Sequence, residues 1–513
     1  MKARISLVLI VFVMSLFSSQ QLFAQSAVLP SPDHPQLAAF LQQQPDYIWL
    51  EQQQLTRQAQ DALSFITASA IHGLDPDDYH LSLLQQLLPL QNEEIARYFD
   101  TLLTDALLHL IHDLAIGRLD PAVVDPDWFI ARDQINEADI LQQALLAPYL
   151  KNALNELIPQ LPQYHQLTTA LAQYQRYVDR GGWQTIPATP LLRPGDKHAY
   201  IPLIRARLAV EETVLSQQDN AQNPQYDNIL VDAVTRFQKR HGLKVDGIIG
   251  SETLHTLNIA AEDLVRRIKL NLERLRWLPN DLGRRYLLVN LGSYQLTAIN
   301  EAETVLDMRV IVGRRVRSTP SFNSAMTHIV FNPYWSVPHK LARLDLLPKQ
   351  QENPDYFFLH GFRIYLRNTD FQTEVDPYRV DWNSLDSRNF PYRLQQLPGK
   401  HNALGQIKFM FPNPWNIYLH DTPHKELFEQ SQRNFSSGCI RVEDPLALAN
   451  FSLNRENAQL WVQEQIVSNK NRGQPLRDPL PVYAVYFTVW PHNNVISFAP
   501  DHYQRDQRMV KFL

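Results

Sequence analysis

The chain has 513 residues, room for about three or four domains. Hydrophobic residues at 44% and charged residues at 20% exclude wholesale disorder, and a net charge of −5 excludes a chain-wide basic footprint for nucleic acid. One cysteine, Cys439, excludes an intramolecular disulfide, a Cys-rich zinc site and a Cys-ligated iron–sulfur cluster.

Lys2 and Arg4 precede Ile5–Phe17, an uncharged run of 13 residues, and QLFAQS follows with Ala24 at a cleavage position. This is the pattern of a secretory signal peptide over 1–24. The competing reading is an uncleaved anchor, for which the run falls short of the roughly 20 residues that span a bilayer. The expected mature chain begins near Gln25 and is exported.

Residues 36–190 read as helices. Leu55, Ala59, Leu63, Ile66 and Ala70 recur at helical spacing, with Gly73 placed to end the helix. Asp75-Pro76 reads as a second helix start. Glu93–Gly117 carries an apolar stripe through Phe99, Leu102, Ala106 and Leu110, and Leu167, Leu171, Tyr174 and Val178 mark a further helix closed by Gly181-Gly182. In 195–258, Ile201, Ile204 and Leu208 mark one short helix and Leu230, Val234 and Phe237 another; Gly250-Ser251 starts a third. Residues 262–278 read as a connecting helix closed by Pro279.

The period then changes from 3.6 to 2. Tyr286–Ile299 and Thr304–Val312 read as strands, as do His328–Phe331, Gln406–Phe411 and Ile417–Leu419. The 338–398 stretch shows weak periodicity, many charges and several aromatics. Such a length without clear elements marks a lid or binding insertion. Gly438–Phe451 reads as a turn into a helix that starts at Asp444-Pro445. The fold class expected is α+β multidomain.

The chemistry concentrates at Ser436-Ser437-Gly438-Cys439-Ile440-Arg441. A cysteine nucleophile needs thiolate character, an exposed sulfur and donors for a developing oxyanion. Gly438 permits a tight turn whose amides can converge on one small volume, and His420, at a strand end, is a candidate base. His424 raises a zinc reading, but a four-residue spacing shares a face only in a helix, and Pro423 and the preceding strand argue against one. No metal is expected.

AVTRFQKRHGLKVDGIIGSETLHTLN resembles the second half of a type 1 peptidoglycan-binding domain. LHDTP…SSGCIRV resembles the catalytic signature of the YkuD-type L,D-transpeptidases. NLERLRWLP, FNPYWSVP, DWNS and LPGKHNALGQIKFMFPNPWNIYLHDTP follow in the order of the large Gram-negative, YcbB-like members.

The resemblance implies a helical scaffold (25–190), a peptidoglycan-binding module (195–260) and a connecting helix (261–280). It then implies a β-rich catalytic domain (281–490) with a capping subdomain at 338–398, leaving 491–513 as a tail. It implies a periplasmic enzyme without cofactors that joins peptidoglycan stem peptides through a thioester and is acylated by carbapenems. L,D-carboxypeptidase activity and a non-catalytic wall-binding scaffold are the alternatives.

Cys439 would be the nucleophile and His420 its base or imidazolium partner, a cation expected to lower the thiol pKa. His420 would be oriented by the Asp421 carbonyl, or alternatively by the Asp421 carboxylate. Gly438 and Cys439 amides would form the oxyanion hole, with the Tyr418 hydroxyl as a further donor. Arg441 would face a substrate carboxylate or brace the turn, and Ser437 would contact substrate. Trp335 would line the donor cleft; for Trp335 and Tyr418, packing is the competing reading.

Overall fold

The structure is a computed structural model that describes residues 30–513, apart from 45, 213–214, 216–220, 370, 493–494 and 513. The signal segment, the Ala24 cleavage position and part of the 216–228 stretch, which the sequence reads as a loop insertion, lie outside the described residues. The chain divides into two compact units: one of residues up to 67 with 76–111 and 136–153, the other of 68–75, 112–135 and 154–513. The architecture is mixed, with helices predominating up to Arg276 and a large β domain after them. No helix among the described residues is long and apolar enough to cross a membrane.

In the first unit the apolar stripes form helices Arg57–Ala68 and the first part of Glu93–Ile116. Carboxylates of the long helix hold the chain that precedes it. Asp100 accepts from the Trp49 N–H at 2.8 Å and Asp105 from the His34 N–H at 2.9 Å. Asp75-Pro76 starts only one 3-10 turn, Pro76–Tyr79, instead of an α-helix.

The second unit carries everything after Pro162. Helix Pro162–Asp179 begins on its proline, which has no N–H to leave unpaired there. The peptidoglycan-binding module holds helices Ile201–Ala209, Asn228–Arg240 and Ser251–Leu257 around a core of its own. That core reaches back to Ile186 and Leu192, before residue 195.

Helix Ala261–Arg276 is buried on nearly all sides, including charged residues. Glu273 takes the Leu119 N–H, the Trp277 indole and Arg276, and Arg274 pairs with Asp506 at 2.6 Å. Buried charges of this kind persist only when paired and hydrogen-bonded.

Eight strands then close a barrel: β1 Arg285–Asn290, β2 Gln295–Asn300, β3 Glu303–Ile311, β4 Phe322–Phe331, β5 Ile407–Met410, β6 Leu419–His420, β7 Ile440–Val442 and β8 Arg472–Val485. Around the barrel the order is β5-β6-β7-β3-β2-β1-β8-β4. The single strand expected over 286–299 is therefore a hairpin. Its turn holds Gly292, where an added Cβ would stand 2.3 Å from the Phe487 carbonyl oxygen.

Two further expectations are corrected. Residues 338–398 are not structureless. Strands Trp335–Ser336, Tyr392–Gln396, Phe362–Leu366 and Glu374–Val375 pair in that spatial order over a core of Phe357, Trp382, Phe390 and Leu394. The period was obscured because the strands are short and separated by irregular turns. Residues 491–513 are not a tail. Val489–His492 and Val495–Phe498 form a hairpin, and Arg505 and Met509 are buried. Arg505 is fully enclosed and donates to Ser321 Oγ at 2.8 Å and the Thr319 carbonyl at 3.0 Å.

Candidate active site

Strand pairing assembles the site. β6 and β7 run parallel, with Leu419 opposite Ile440 and His420 opposite Arg441, and the Ile440 N–H donates to the Tyr418 carbonyl at 3.1 Å. That register sets Tyr418 beside Cys439 and His420 beside Arg441 on a short two-strand seam. β5 lies on the other side of β6 and sets Lys408 opposite His420.

His420 is buried, and its Nδ1 lies 2.5 Å from the Asp421 carbonyl oxygen. A carbonyl only accepts, so Nδ1 carries the proton and Nε2 keeps its lone pair. Of the two orienting groups expected, the carbonyl holds the ring. The Asp421 carboxylate instead accepts from the Gln406 N–H at 2.8 Å and pairs with Lys425 at 2.8 Å. Gly405, at φ +61°, makes room for it, since a Cβ there would lie 2.2 Å from Asp421 Oδ2. Burial and the Arg441 charge hold the His420 pKa down to about 3, so the ring is neutral near pH 7.

Cys439 is partly buried, and burial pushes its thiol above the ordinary 9.0. The Tyr418 amide and hydroxyl, Lys408 and Arg441 oppose that rise. The thiol proton points to the Asn416 carbonyl at 3.8 Å. The imidazolium expected to lower the thiol pKa is therefore not the cation here. Lys408 and Arg441 carry that charge, and Lys408 was missed in the sequence. The signal was present in GQIKFMF, where Ile407 and Phe409 are buried and Lys408 takes the alternate face.

The Cys439 turn is held from within. Gly438 sits at φ +121°, which favours glycine. Its N–H, expected as an oxyanion donor, instead donates to Ser436 Oγ at 3.0 Å, and Ser436 Oγ donates to the Cys439 carbonyl at 2.5 Å. Thr319 Oγ1 donates to the Gly438 carbonyl at 2.8 Å. The Tyr418 amide and hydroxyl are the donors that act on the sulfur.

Arg441 braces no turn through its Nε, which is buried without a hydrogen bond; its charge faces Cys439 and His420. Ser437 Oγ accepts from Arg317 at 3.0 Å and Arg314 at 3.3 Å. Trp335 lies near the Tyr418 hydroxyl. His424 is exposed and lies 3.2 Å from Glu426. Lys408 Nζ sits 3.9 Å from the Tyr418 ring centroid. Both residues line a groove of about 300 Å³ with His328, Phe411 and Asn416.

Residues 284–464 match the family model described as the L,D-transpeptidase catalytic domain (YkuD). The chain carries a YkuD-type L,D-transpeptidase domain. Residues 35–171 match a scaffold domain, and 215–257 match a "Putative peptidoglycan binding domain". The chain is 36% identical over 251 residues to a "Putative L,D-transpeptidase" of Haemophilus influenzae. That match takes in 48% of this chain, and the chain spans about half the length of that curated relative (49%).

Two solved structures overlap more weakly. An L,D-transpeptidase from Mycobacterium smegmatis has TM-score 0.18 and 11% identity, covering 39% of this chain and 58% of its own. One from Xylanimonas cellulosilytica has TM-score 0.20 and 14% identity, covering 58% and 99%. The transpeptidase domain contains β1 to β7, the cap and the whole Tyr418–Arg441 site.

Proposed function

We propose that this chain is an exported periplasmic enzyme that forms 3→3 crosslinks between peptidoglycan stem peptides through a Cys439 thioester. The observation that carries the proposal is a neutral, carbonyl-oriented His420 on the strand beside that of the lone cysteine, within an L,D-transpeptidase domain whose Lys408 and Tyr418 line a groove. The buried thiol rests protonated, so attack requires a base, and His420 Nε2 is the acceptor.

As Cys439 Sγ attacks the carbonyl of the third residue of a donor tetrapeptide, His420 takes the thiol proton. The oxyanion meets the Cys439 N–H and the Tyr418 hydroxyl, with Lys408 and Arg441 as nearby positive charge. Collapse breaks the peptide bond, and D-Ala leaves carrying the proton that His420 returns. The side-chain amine of an acceptor diaminopimelate then attacks the thioester and gives its proton to His420. The new amide forms as sulfur leaves and regains that proton. One peptide bond breaks and one forms, so no nucleotide is required. Trp335, near the Tyr418 hydroxyl, lines the donor side. The 195–258 module would hold the enzyme on the wall.

Muropeptide mass spectrometry on wall material treated with the purified mature protein tests this. A dimer lacking one D-Ala is expected, and Cys439→Ala should give none. Tripeptide monomers alone would make the enzyme an L,D-carboxypeptidase, with water in place of the acceptor amine. No product from the unaltered protein would favour a wall-binding scaffold.

A further inference from the structure

A chain of polar contacts joins the cap to the catalytic turn. Asp345 lies in the cap segment Ala342–Leu346. Its two carboxylate oxygens take the two terminal nitrogens of Arg317, at 2.5 and 3.2 Å. Arg317 Nη1 also donates to Ser437 Oγ at 3.0 Å. Arg314 donates to the same hydroxyl at 3.3 Å and stands 3.6 Å from Asp345. Ser437 is followed directly by Gly438 and Cys439.

The loop bearing both arginines is already fastened to the turn. The Arg314 N–H donates to the Ser436 carbonyl and the Ser436 N–H to the Val312 carbonyl, both at 2.9 Å. Gly313 allows this approach, since a Cβ there would stand 2.2 Å from the Arg317 carbonyl oxygen. Thr319, at the loop's far end, holds the Gly438 carbonyl. These bonds fix the backbone around the turn, while the bond from Arg317 fixes its Ser437 side chain. The Arg317 side chain is 16% exposed, so little solvent competes for it. A two-pronged guanidinium–carboxylate pair sets a direction as well as a distance, which a lysine in the same place would not.

We propose that Arg317 is a positioning residue for acylation of Cys439: the cap's Asp345 sets its guanidinium, which holds Ser437 and so fixes the Gly438–Cys439 turn. The proposal rests on Cys439 being the nucleophile. It makes seating of the cap and ordering of the turn one event. Without Asp345, Arg317 loses its two-pronged partner, and the closer of the two donors to Ser437 is no longer held in direction. The Cys439 N–H then points to the oxyanion for a smaller share of the time, and oxyanion stabilisation depends steeply on such aim.

The test measures two reactions of Cys439 in the full mature chain. Acylation by a carbapenem passes through an oxyanion; alkylation by iodoacetamide does not. Asp345→Asn and Arg317→Met should each lower the saturating acylation rate about tenfold or more. The alkylation rate and its pH profile should stay unchanged in both. In the double variant the loss should equal that of Arg317→Met alone, because Asp345 acts through Arg317. Thermal midpoints verify folding, and Asp345→Asn is close to isosteric if Arg317→Met folds poorly.

Unchanged or faster acylation in Asp345→Asn would overturn the proposal and leave the cap as a cover. Additive losses, or equal losses in alkylation, would overturn it too. If the unaltered chain is alkylated at Cys439 but never acylated there, the nucleophile assignment fails first, and the proposal with it.

Discussion

Lys408 and Arg441 bring positive charge to the sulfur while the His420 ring on the neighbouring strand is neutral, so the proposed charge and base lie on different residues. Lys408 and Arg441 lower the thiol pKa against the burial that raises it. In the proposed mechanism His420, held to about 3, takes the proton without contributing charge. Replacing one member should therefore move one observable. Lys408→Met should shift the alkylation profile of Cys439 to higher pH, since a cation favouring the thiolate is lost. His420→Ala should leave that profile in place and cut acylation near pH 7 by about 100-fold or more, the usual worth of a positioned base. If His420→Ala instead moves the profile upward, the imidazole is charged and the assignment of roles reverses.

Cys439 stood out as the candidate nucleophile because it is unique and a conspicuous turn surrounds it, and His420 because it ends a strand upstream. Its electrostatics were not, because Lys408 is 31 positions before Cys439 and meets it only through the β5–β6–β7 pairing. The Gly438 N–H was misassigned for a related reason. SSGC spacing predicts a turn, but only coordinates show that Ser436 Oγ occupies that donor.

Elements with a strong period were read nearly to their ends. Helices Glu93–Ile116 and Asn228–Arg240 fall where their apolar stripes put them. β8 was missed because Pro475, Pro479 and Pro481 interrupt its alternation; Pro479 falls in the register shift between Pro475 and Leu480. The cap was misread because it builds its core from scattered aromatics. Phe357 is fully buried and packs on Phe362 and Trp382 at centroid distances of 5.4 and 5.2 Å.

That separate core gives an element-scale expectation. Phe357→Ala removes about 3–5 kcal/mol of burial and packing from the cap, more than a small subdomain can lose and stay ordered. Amide exchange should rise across 338–398 and stay protected in β1, β4 and β8. Uniform loss of protection would show that cap and barrel unfold as one unit. Gly405→Ala should act on the opposite side of the site. It displaces the Asp421 side chain, disturbs the carbonyl that orients His420, and should lower acylation with little effect on the alkylation profile.

At the scale of the whole molecule, the buried histidines set the response to acid. His420, His241 and His502 are held to about 3 and His72 to about 4, in each case chiefly by burial. Each folded pKa lies below the unfolded 6.5, so between these values the unfolded chain binds more protons than the folded one. The contribution of each neutral ring is complete above pH 6.5 and is lost as pH falls toward 3 or 4. The slope is at most about 1.4 kcal/mol per pH unit per histidine. Glu211, held to about 2 by Arg207 and Arg240 against its burial, acts in the same direction below 4.5. The thermal midpoint should therefore fall steadily from pH 6.5 downward and more steeply below 4.5. His241 offers the test, because its ring lies between Phe237 and Phe498 at 4.2 and 5.3 Å, a place a phenyl ring can fill. His241→Phe should keep the midpoint near neutrality and flatten the decline by one histidine's share. An unchanged slope would mean that His241 takes up its proton without unfolding, and that its surroundings open to water before the core does.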